Sequence, residues 1–197
     1  MISEGTPVRL VCDVDGYELD RVPAGTYGVI VESYDVPVEG YAVDVALRDP
    51  VTGERVYDNV MLRPEQFRSL SHYCSVEIDT DLDAPGLVGL IADALHASAP
   101  GRTVRTNAAV VQLAGPWPRD PDYEATTGSR SFRWEAEVEG RSDATLDDVV
   151  SVVSGVLQAL WCRGIPAVAR SDYADRLPDS GGYERWKKLR PGERGVT

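Results

Sequence analysis

The sequence is poor in the side chains that most often bind metals or act as general bases. Its 197 residues include only two histidines, His72 and His96, and three cysteines, Cys12, Cys74 and Cys162. The cysteines lie far apart and form no C-x-x-C pair, which disfavours both a zinc site and a disulfide framework. Phosphate-binding motifs of the types G-x-x-x-x-G-K-S/T and G-x-G-x-x-G are also absent, so we expect no cofactor and no metal.

Long apolar segments are lacking as well. No run approaches the roughly 18 uninterrupted apolar residues of a membrane-spanning helix. The N-terminal MISEGTPVRL has neither the basic segment nor the apolar stretch of a secretion signal. From these absences we expect a soluble, cytoplasmic protein that does not act at a membrane.

Acidic side chains are abundant and give the chain a net charge of −12. Residues 1–70 and 71–175 carry −7 and −8, whereas residues 176–197 carry +3 and hold both lysines, Lys187 and Lys188. An acidic body repels phosphate backbones, which disfavours nucleic acid as a partner. It complements a basic protein surface instead.

The first 70 residues show the pattern of a small β domain. The segment YAVDVALR, residues 41–48, alternates between apolar and polar positions, as a strand with one buried face does. Further short strands are predicted at 7–13, 26–34 and 55–62, and RPEQF is predicted to be a helical turn. Four or five short strands in such a length predict an SH3-like β-barrel over residues 1–70.

Four blocks in this region, VRLVCDVDG, VPAGTYGVIVESYD, YAVDVAL and VMLRPEQF, occur in an order that resembles the DUF4926-type family of small SH3-like barrels. The resemblance covers residues 6–67, about a third of the chain. It implies a fold and no chemistry. Ribosomal and transcription barrels of the KOW type share the glycine spacing, but their basic surface is missing from this sequence.

Residues 71–175 change to a mixed pattern in which strands and helices alternate. Asp83 can cap a first helix, and Thr145 and Asp148 have the spacing of a capping box at the start of a second one. The predicted strands are 73–80, 103–113, 129–139 and 165–171. The order β-α-β-β-α-β predicts a ferredoxin-like sandwich with two helices on one face of a four-stranded sheet.

Residues 176–197 form the third predicted region, a glycine-rich hinge at PDSGG followed by a basic, aromatic tail. A helix over residues 183–190 would place Tyr183 and Trp186 on one side, as in a docking helix. Such a tail can contact a partner or pack back on the body.

We expect no catalytic residue and instead identify two groups of interface candidates. The first group comprises charged side chains on the outer face of the second domain's sheet and the second comprises aromatic residues outside the core pattern. They are Glu77, Asp79, Arg105, Arg133, Glu135 and Glu137 in the first group, and Trp117, Tyr123, Tyr183 and Trp186 in the second.

Three hypotheses for function follow from these features. The first is a non-enzymatic protein-binding module, such as an acidic adaptor or an immunity-like inhibitor that faces a basic active site. The second is a small enzyme that uses carboxylates and arginines on the open sheet face or in a cleft between the domains. The third is nucleic-acid binding through the barrel and the tail. Ferredoxin-like sheets often pair through their open face, so a homodimer is a further expectation.

Overall fold

A computed structural model describes residues 1–49, 51–52, 54–119 and 132–188, with the last three of these described by their backbone alone. The chain divides into two compact units, Met1–Ser71 and His72–Thr197. Each unit contains one five-stranded antiparallel sheet and its own hydrophobic core.

The first unit is a small all-β structure. Its strands are β1 (Pro7–Leu10), β2 (Tyr27–Tyr34), β3 (Gly40–Arg48), β4 (Arg55–Leu62) and β5 (Phe67–Ser69). They are ordered β4-β3-β2-β1-β5, and each neighbouring pair is antiparallel. A four-strand meander is thus completed by a short fifth strand that returns to the first.

Alternation along β3 explains how this sheet forms its core. Tyr41, Val43 and Val45 are buried, and the ring of Tyr41 meets that of Phe67 edge-on, with 5.2 Å between the centroids. The predicted turn at RPEQF is a 3-10 helix over Pro64–Gln66. Sequence reasoning missed the strand β5 that follows it, because three residues are too short to show a periodicity.

The second unit combines a sheet with three helices in the described residues. The strands are β6 (Ser71–Ile78), β7 (Thr103–Arg105), β8 (Ala109–Ala114), β9 (Trp134–Gly140) and β10 (Ala167–Arg170), ordered β10-β6-β9-β8-β7. The helices are α1 (Ala84–Leu95), α2 (Leu146–Cys162) and α3 (Tyr183–Lys188). The apolar stripes of α1 and α2 share one core with the sheet, so both helices cover the same face of it.

Both predicted helix starts are confirmed. The Asp83 side chain accepts a hydrogen bond from the backbone N–H of Gly86 at 2.9 Å. Thr145 and Asp148 form a reciprocal capping box at the start of α2. The hydrogen bonds from Thr145 are the largest cause of a lowered Asp148 pKa. Caps of this kind satisfy backbone N–H groups that have no partner inside the helix.

The prediction of one long strand over 103–113 is wrong. The segment folds into the tight hairpin β7–β8, in which Thr103 lies opposite Gln112. The Thr106 hydroxyl oxygen accepts the N–H of Ala109 at 2.8 Å, and this local bond competes with continued strand pairing. The strand predicted at 129–139 is observed as β9 from Trp134 onward, and its first three predicted residues lie outside the described residues.

None of the helices in the described ranges is both long enough and apolar enough to cross a membrane.

The final described segment begins with the predicted hinge, PDSGG. Its last two glycines, Gly181 and Gly182, are buried, and α3 follows them directly. Arg185 on this helix lies 4.6 Å above the ring of Trp161 and pairs with Asp179 at 2.5 Å. The start of the tail therefore packs against α2.

Candidate functional site

The acidic face predicted on the second sheet is formed mainly by β6 and β9, which are neighbours. Along β9 the odd-numbered Glu135 and Glu137 alternate with core residues such as Ala136. Glu77 has the same relation to the core on β6, and Asp79 follows that strand. The structure brings these four carboxylates to one face of the sheet.

The carboxylates on these strands accept hydrogen bonds from donors in the same unit. Arg170 Nε donates to Glu77 Oε2 at 2.9 Å, although the Glu77 side chain is only 4% exposed. The Ser75 hydroxyl donates to Glu135 at 2.5 Å, and the Tyr73 hydroxyl donates to Glu137 at 3.2 Å. A buried carboxylate requires such partners because burial without them disfavours its charge.

Arginines also engage the acids that follow β6. Asp79 Oδ1 lies 2.9 Å from Arg119 Nη2. The two groups form an ion pair whose geometry is not that of a hydrogen bond. Asp81 Oδ1 accepts a hydrogen bond from Arg133 at 2.6 Å. That bond is the largest cause of a lowered Asp81 pKa, and the charge of Arg119 adds to it. Arg105 lies apart on the edge strand β7, beyond β8 from β9.

These contacts define what the acidic face does chemically. Each of its carboxylates is engaged by a hydroxyl or a guanidinium, and the pairs link β10 and the segments flanking β9 to strand β6. Breaking one partner of a buried pair leaves an uncompensated charge, which is strongly destabilising. The face therefore acts as an internal network of ion pairs and hydrogen bonds.

The four aromatic candidates have different environments. Trp117 is half-buried, and its backbone N–H donates to the Arg133 carbonyl oxygen at 2.7 Å. Tyr183 begins α3 with 49% of its side chain exposed. Trp186 lies in the same helix, but its side chain is outside the described residues, and Tyr123 lies outside them altogether.

Sequence reasoning predicts a polar loop after β1 but does not select Tyr17, the most exposed aromatic residue in the described part of the chain. The loop Asp13–Asp20 connects β1 towards β2, and Tyr17 on it is 88% exposed. At the base of the loop, Val14 and Val22 exchange backbone hydrogen bonds of 2.9 and 2.7 Å. Both valines are buried in the core, so the base of the loop is fixed.

A buried carboxylate fixes the tip of this loop. Asp58 on β4 is 7% exposed, and four backbone N–H groups donate to its two oxygens at 2.8 to 3.3 Å. Burial acts to raise the Asp58 pKa, but these N–H groups together lower it below its ordinary value. The donors are those of Leu19, Glu18, Asn59 and Tyr17.

Gly16 is required at the turn of the loop because there is no room for a side chain. A Cβ atom there would lie 2.0 Å from Asp58 Oδ2 and 2.7 Å from the Leu19 carbonyl oxygen. The sequence D-x-D-G, which suggests a calcium loop at first sight, thus wraps around a carboxylate of the protein itself. The negative group at its centre is Asp58.

The acids around Tyr17 differ from those of the second sheet. Asp13 pairs with Arg21 and accepts the N–H of Ala24 at 2.6 Å. Asp15, Glu18 and Asp20 are exposed, and within the described ranges their side chains form no ion pair or hydrogen bond. The loop therefore surrounds an exposed aromatic ring with three unpaired negative charges, on a backbone held in place by Asp58.

Both histidines lie in the second unit, whereas the three cysteines are divided between the two units. His96 caps α1 with a left-handed backbone, and His72 lies in β6. Cys12 and Cys162 are exposed, whereas burial raises the pKa of the Cys74 thiol to about 12. Among the described residues, no three His, Cys, Asp or Glu side chains are grouped so that they could hold a metal ion.

Comparison with known proteins adds no relative from which a role can be transferred. No protein family, no curated protein and no solved structure matches the chain. The residues and their geometry are therefore the basis for assigning a function.

Proposed function

We propose that this chain is a non-enzymatic protein-binding module, and that the Asp13–Asp20 loop is its principal contact with a basic partner. The observation that carries the proposal is the exposure of Tyr17 on a loop that Asp58 holds rigid. Exposed tyrosines in fixed positions are typical anchors of protein interfaces, since they bury a large area at a low entropic cost.

Charge identifies the kind of partner. Asp15, Glu18 and Asp20 flank Tyr17 and have no internal counter-ion in the described part of the chain. The whole chain carries −12. An acidic rim attracts a positively charged surface and speeds its association, whereas the aromatic centre supplies most of the affinity. A partner with a basic rim around an apolar notch has the matching chemistry, and an enzyme inhibited at a basic active site is one protein of that kind.

The acidic face of the second sheet supports a structural role rather than catalysis. General acid–base catalysis needs carboxylates whose environments set different pKa values and that can exchange protons with a substrate. Glu77 is instead buried against Arg170, and Glu135 and Glu137 accept bonds from neighbouring hydroxyl groups.

The arrangement of the strands supports a finer description of both units. The order β10-β6-β9-β8-β7, with α1 and α2 on one face, supports a ferredoxin-like sandwich whose second strand is split into a hairpin. The meander closed by β5 supports an SH3-like barrel in the first unit. The DUF4926-type resemblance of residues 6–67 remains part of this proposal.

Site-specific photo-crosslinking tests the contact directly. The full chain, carrying a benzophenone amino acid at position 17, is irradiated in its native cells, and a second form carries the same group at position 57. Tyr57 is the matched control because it is 63% exposed in the same unit but lies on regular strand β4. We expect a basic protein to be captured from position 17 and not from position 57.

Affinity measurements with the captured protein complete the test. Tyr17→Ala should weaken binding by about 2 kcal/mol, or about thirtyfold in Kd, and Tyr57→Ala by less than about twofold. Neutralising Asp15, Glu18 and Asp20 together should slow association and flatten its dependence on salt. Equal effects at positions 17 and 57, or capture of only a second copy of this acidic chain, would overturn the proposal.

A further inference from the structure

A separate feature of the second unit is a cavity beside strand β10. Its volume is about 350 Å³, which lies at the lower end of the size range of small-molecule sites. Apolar side chains dominate its wall, and Phe132, Val168, Ala169 and Ala174 are among them. Such a wall holds the apolar body of a ligand by excluding water from it.

Three residues with polar groups, Arg170, Ser180 and Tyr183, complete this wall, and the most informative of them is Arg170. Its Nε donates to the buried Glu77, while 62% of its side chain is exposed. In the described residues the Arg170 side chain makes no other hydrogen bond, so its terminal Nη groups are available to a ligand. A guanidinium binds a carboxylate through paired, charge-assisted hydrogen bonds.

The second polar residue, Ser180, is held at the cavity by a strained backbone. Asp179 and Ser180 both have φ of +49°, a left-handed conformation that is uncommon for residues with a side chain. Backbone strain of this kind is concentrated at functional sites, which agrees with a ligand site here.

Close packing maintains this conformation. A Cβ atom on Gly181 would lie 2.8 Å from the Ala169 carbonyl oxygen, and one on Gly182 would lie 2.5 Å from the Trp161 ring. The glycines therefore allow the segment to lie directly against β10 and α2. Ser180 is consequently kept at the wall of the cavity.

We infer that this cavity binds a small apolar molecule that bears a carboxylate, such as an aryl or short-chain acid. The apolar body occupies the wall formed by Val168, Ala169 and Ala174, and the carboxylate accepts hydrogen bonds from the Nη groups of Arg170. Glu77 fixes the guanidinium through Nε and remains buried. This site is independent of the Tyr17 loop, which lies in the other unit.

A titration of the full chain with 3-phenylpropanoate tests the inference, with 3-phenylpropanamide as the uncharged analogue. Binding is followed by the backbone amide shifts of Val168, Arg170 and Ser180 in nitrogen–proton correlation spectra. We expect saturable shifts at these residues at millimolar concentrations, with the carboxylate bound about tenfold more tightly than the amide. The absence of saturation there, or equal affinity for both probes, overturns the inference.

Variants separate the contribution of the guanidinium from that of the cavity. Replacing Glu77 and Arg170 together by glutamine removes both charges of the ion pair and should abolish the preference for the carboxylate. Arg163→Gln removes an exposed arginine of the same unit and should leave the preference unchanged. Ala174→Phe fills the cavity without touching the ion pair and should abolish binding of both probes. Retained binding in a folded Ala174→Phe protein also overturns the inference.

Discussion

Replacing Asp58 by asparagine should release the loop that carries Tyr17. In the native structure Asp58 Oδ1 accepts the N–H groups of Asn59, Glu18 and Tyr17 at 2.8, 3.1 and 3.2 Å. Its Oδ2 accepts those of Leu19 and Glu18 at 3.0 and 3.3 Å. Asparagine has a single acceptor oxygen, so its NH₂ group faces backbone donors whichever way the amide is turned.

The size of the effect follows from these bonds. A hydrogen bond to a charged acceptor contributes about 1.5–3 kcal/mol, and a buried donor without a partner costs about 1–3 kcal/mol. Asp58→Asn weakens the first kind of interaction and creates the second. We therefore expect the free energy of opening the loop to fall by about 2–4 kcal/mol. This figure allows for exposed residues of the loop that shift and regain part of their hydrogen bonding.

Amide hydrogen exchange is the suitable assay because tryptophan fluorescence does not report on this unit. All four tryptophans, Trp117, Trp134, Trp161 and Trp186, lie in the second unit. Exchange at Leu19 in the full chain should accelerate by roughly 30- to 1000-fold in Asp58→Asn, since about 1.4 kcal/mol corresponds to one decade. Val43, in the middle of β3, separates this local opening from unfolding of the sheet.

The matched control is Asp44→Asn. Asp44 is exposed on the neighbouring strand and accepts a single hydrogen bond of 2.8 Å from the Asn59 side chain. Its replacement should change exchange at Leu19 by less than about threefold, as expected for a surface substitution. Unchanged exchange at Leu19 in Asp58→Asn would refute the reasoning that this carboxylate holds the loop.

The same group predicts a dependence on pH. The N–H donors lower the Asp58 pKa in the folded state below its value in the unfolded chain. Its stabilising effect is therefore complete above the unfolded pKa and is lost as the pH falls through the lowered folded pKa. Protection at Leu19, corrected for intrinsic exchange, should decline in that acidic range in the native protein, and Asp58→Asn should lack this part of the decline.

Two further predictions concern the second unit. Gly182→Ala should destabilise it by more than about 2 kcal/mol in urea unfolding followed by tryptophan fluorescence, because the new methyl group would meet the Trp161 ring at 2.5 Å at a φ of +89°. Gly89→Ala in α1, where nothing lies within 4 Å, should instead stabilise by about 0.5–1 kcal/mol, and the opposite ranking would contradict the packing argument. In mass-spectrometric labelling at neutral pH, Cys74 should remain unmodified while exposed Cys12 reacts, since burial raises the Cys74 pKa to about 12. Equal labelling of both thiols in the folded protein would contradict that assignment.

The features predicted well from sequence are those set by local physical chemistry. The capping residues Asp83 and Thr145 occupy the predicted helix starts because their side chains satisfy nearby backbone donors. Gly28 in β2 likewise serves a local need, since a Cβ there would lie 2.6 Å from Val43 Cγ1 and 2.8 Å from the Asp44 carbonyl oxygen. The alternation of apolar and polar residues along β3 and β9 indicated which face of each strand is buried, because it too is a local property of the sequence.

Features that depend on residues distant in sequence were not predictable in detail. The pattern indicated carboxylates on one face of β6, but it did not indicate that Arg170, 93 positions away, would pair with Glu77. The break of the predicted strand at Thr106 depended on a side-chain hydrogen bond that competes with strand pairing. Neither outcome is encoded in the period of the apolar residues.

The role of the loop that carries Tyr17 nevertheless left a signal in another part of the sequence. Strand β4 alternates, and Asp58 occupies an inward position between Val56 and Val60. An acid at an inward position requires donors from elsewhere, because an unpaired buried carboxylate is costly. The nearby glycine-containing loop at residues 13–20 is rich in backbone donors and could have been identified as their source.

The same rule distinguishes the two acidic surfaces of this protein. Glu77 is engaged internally, whereas Asp15 is exposed and has no partner among the residues that the structure describes. Only an unpaired surface charge can attract a partner without first breaking a bond within the protein.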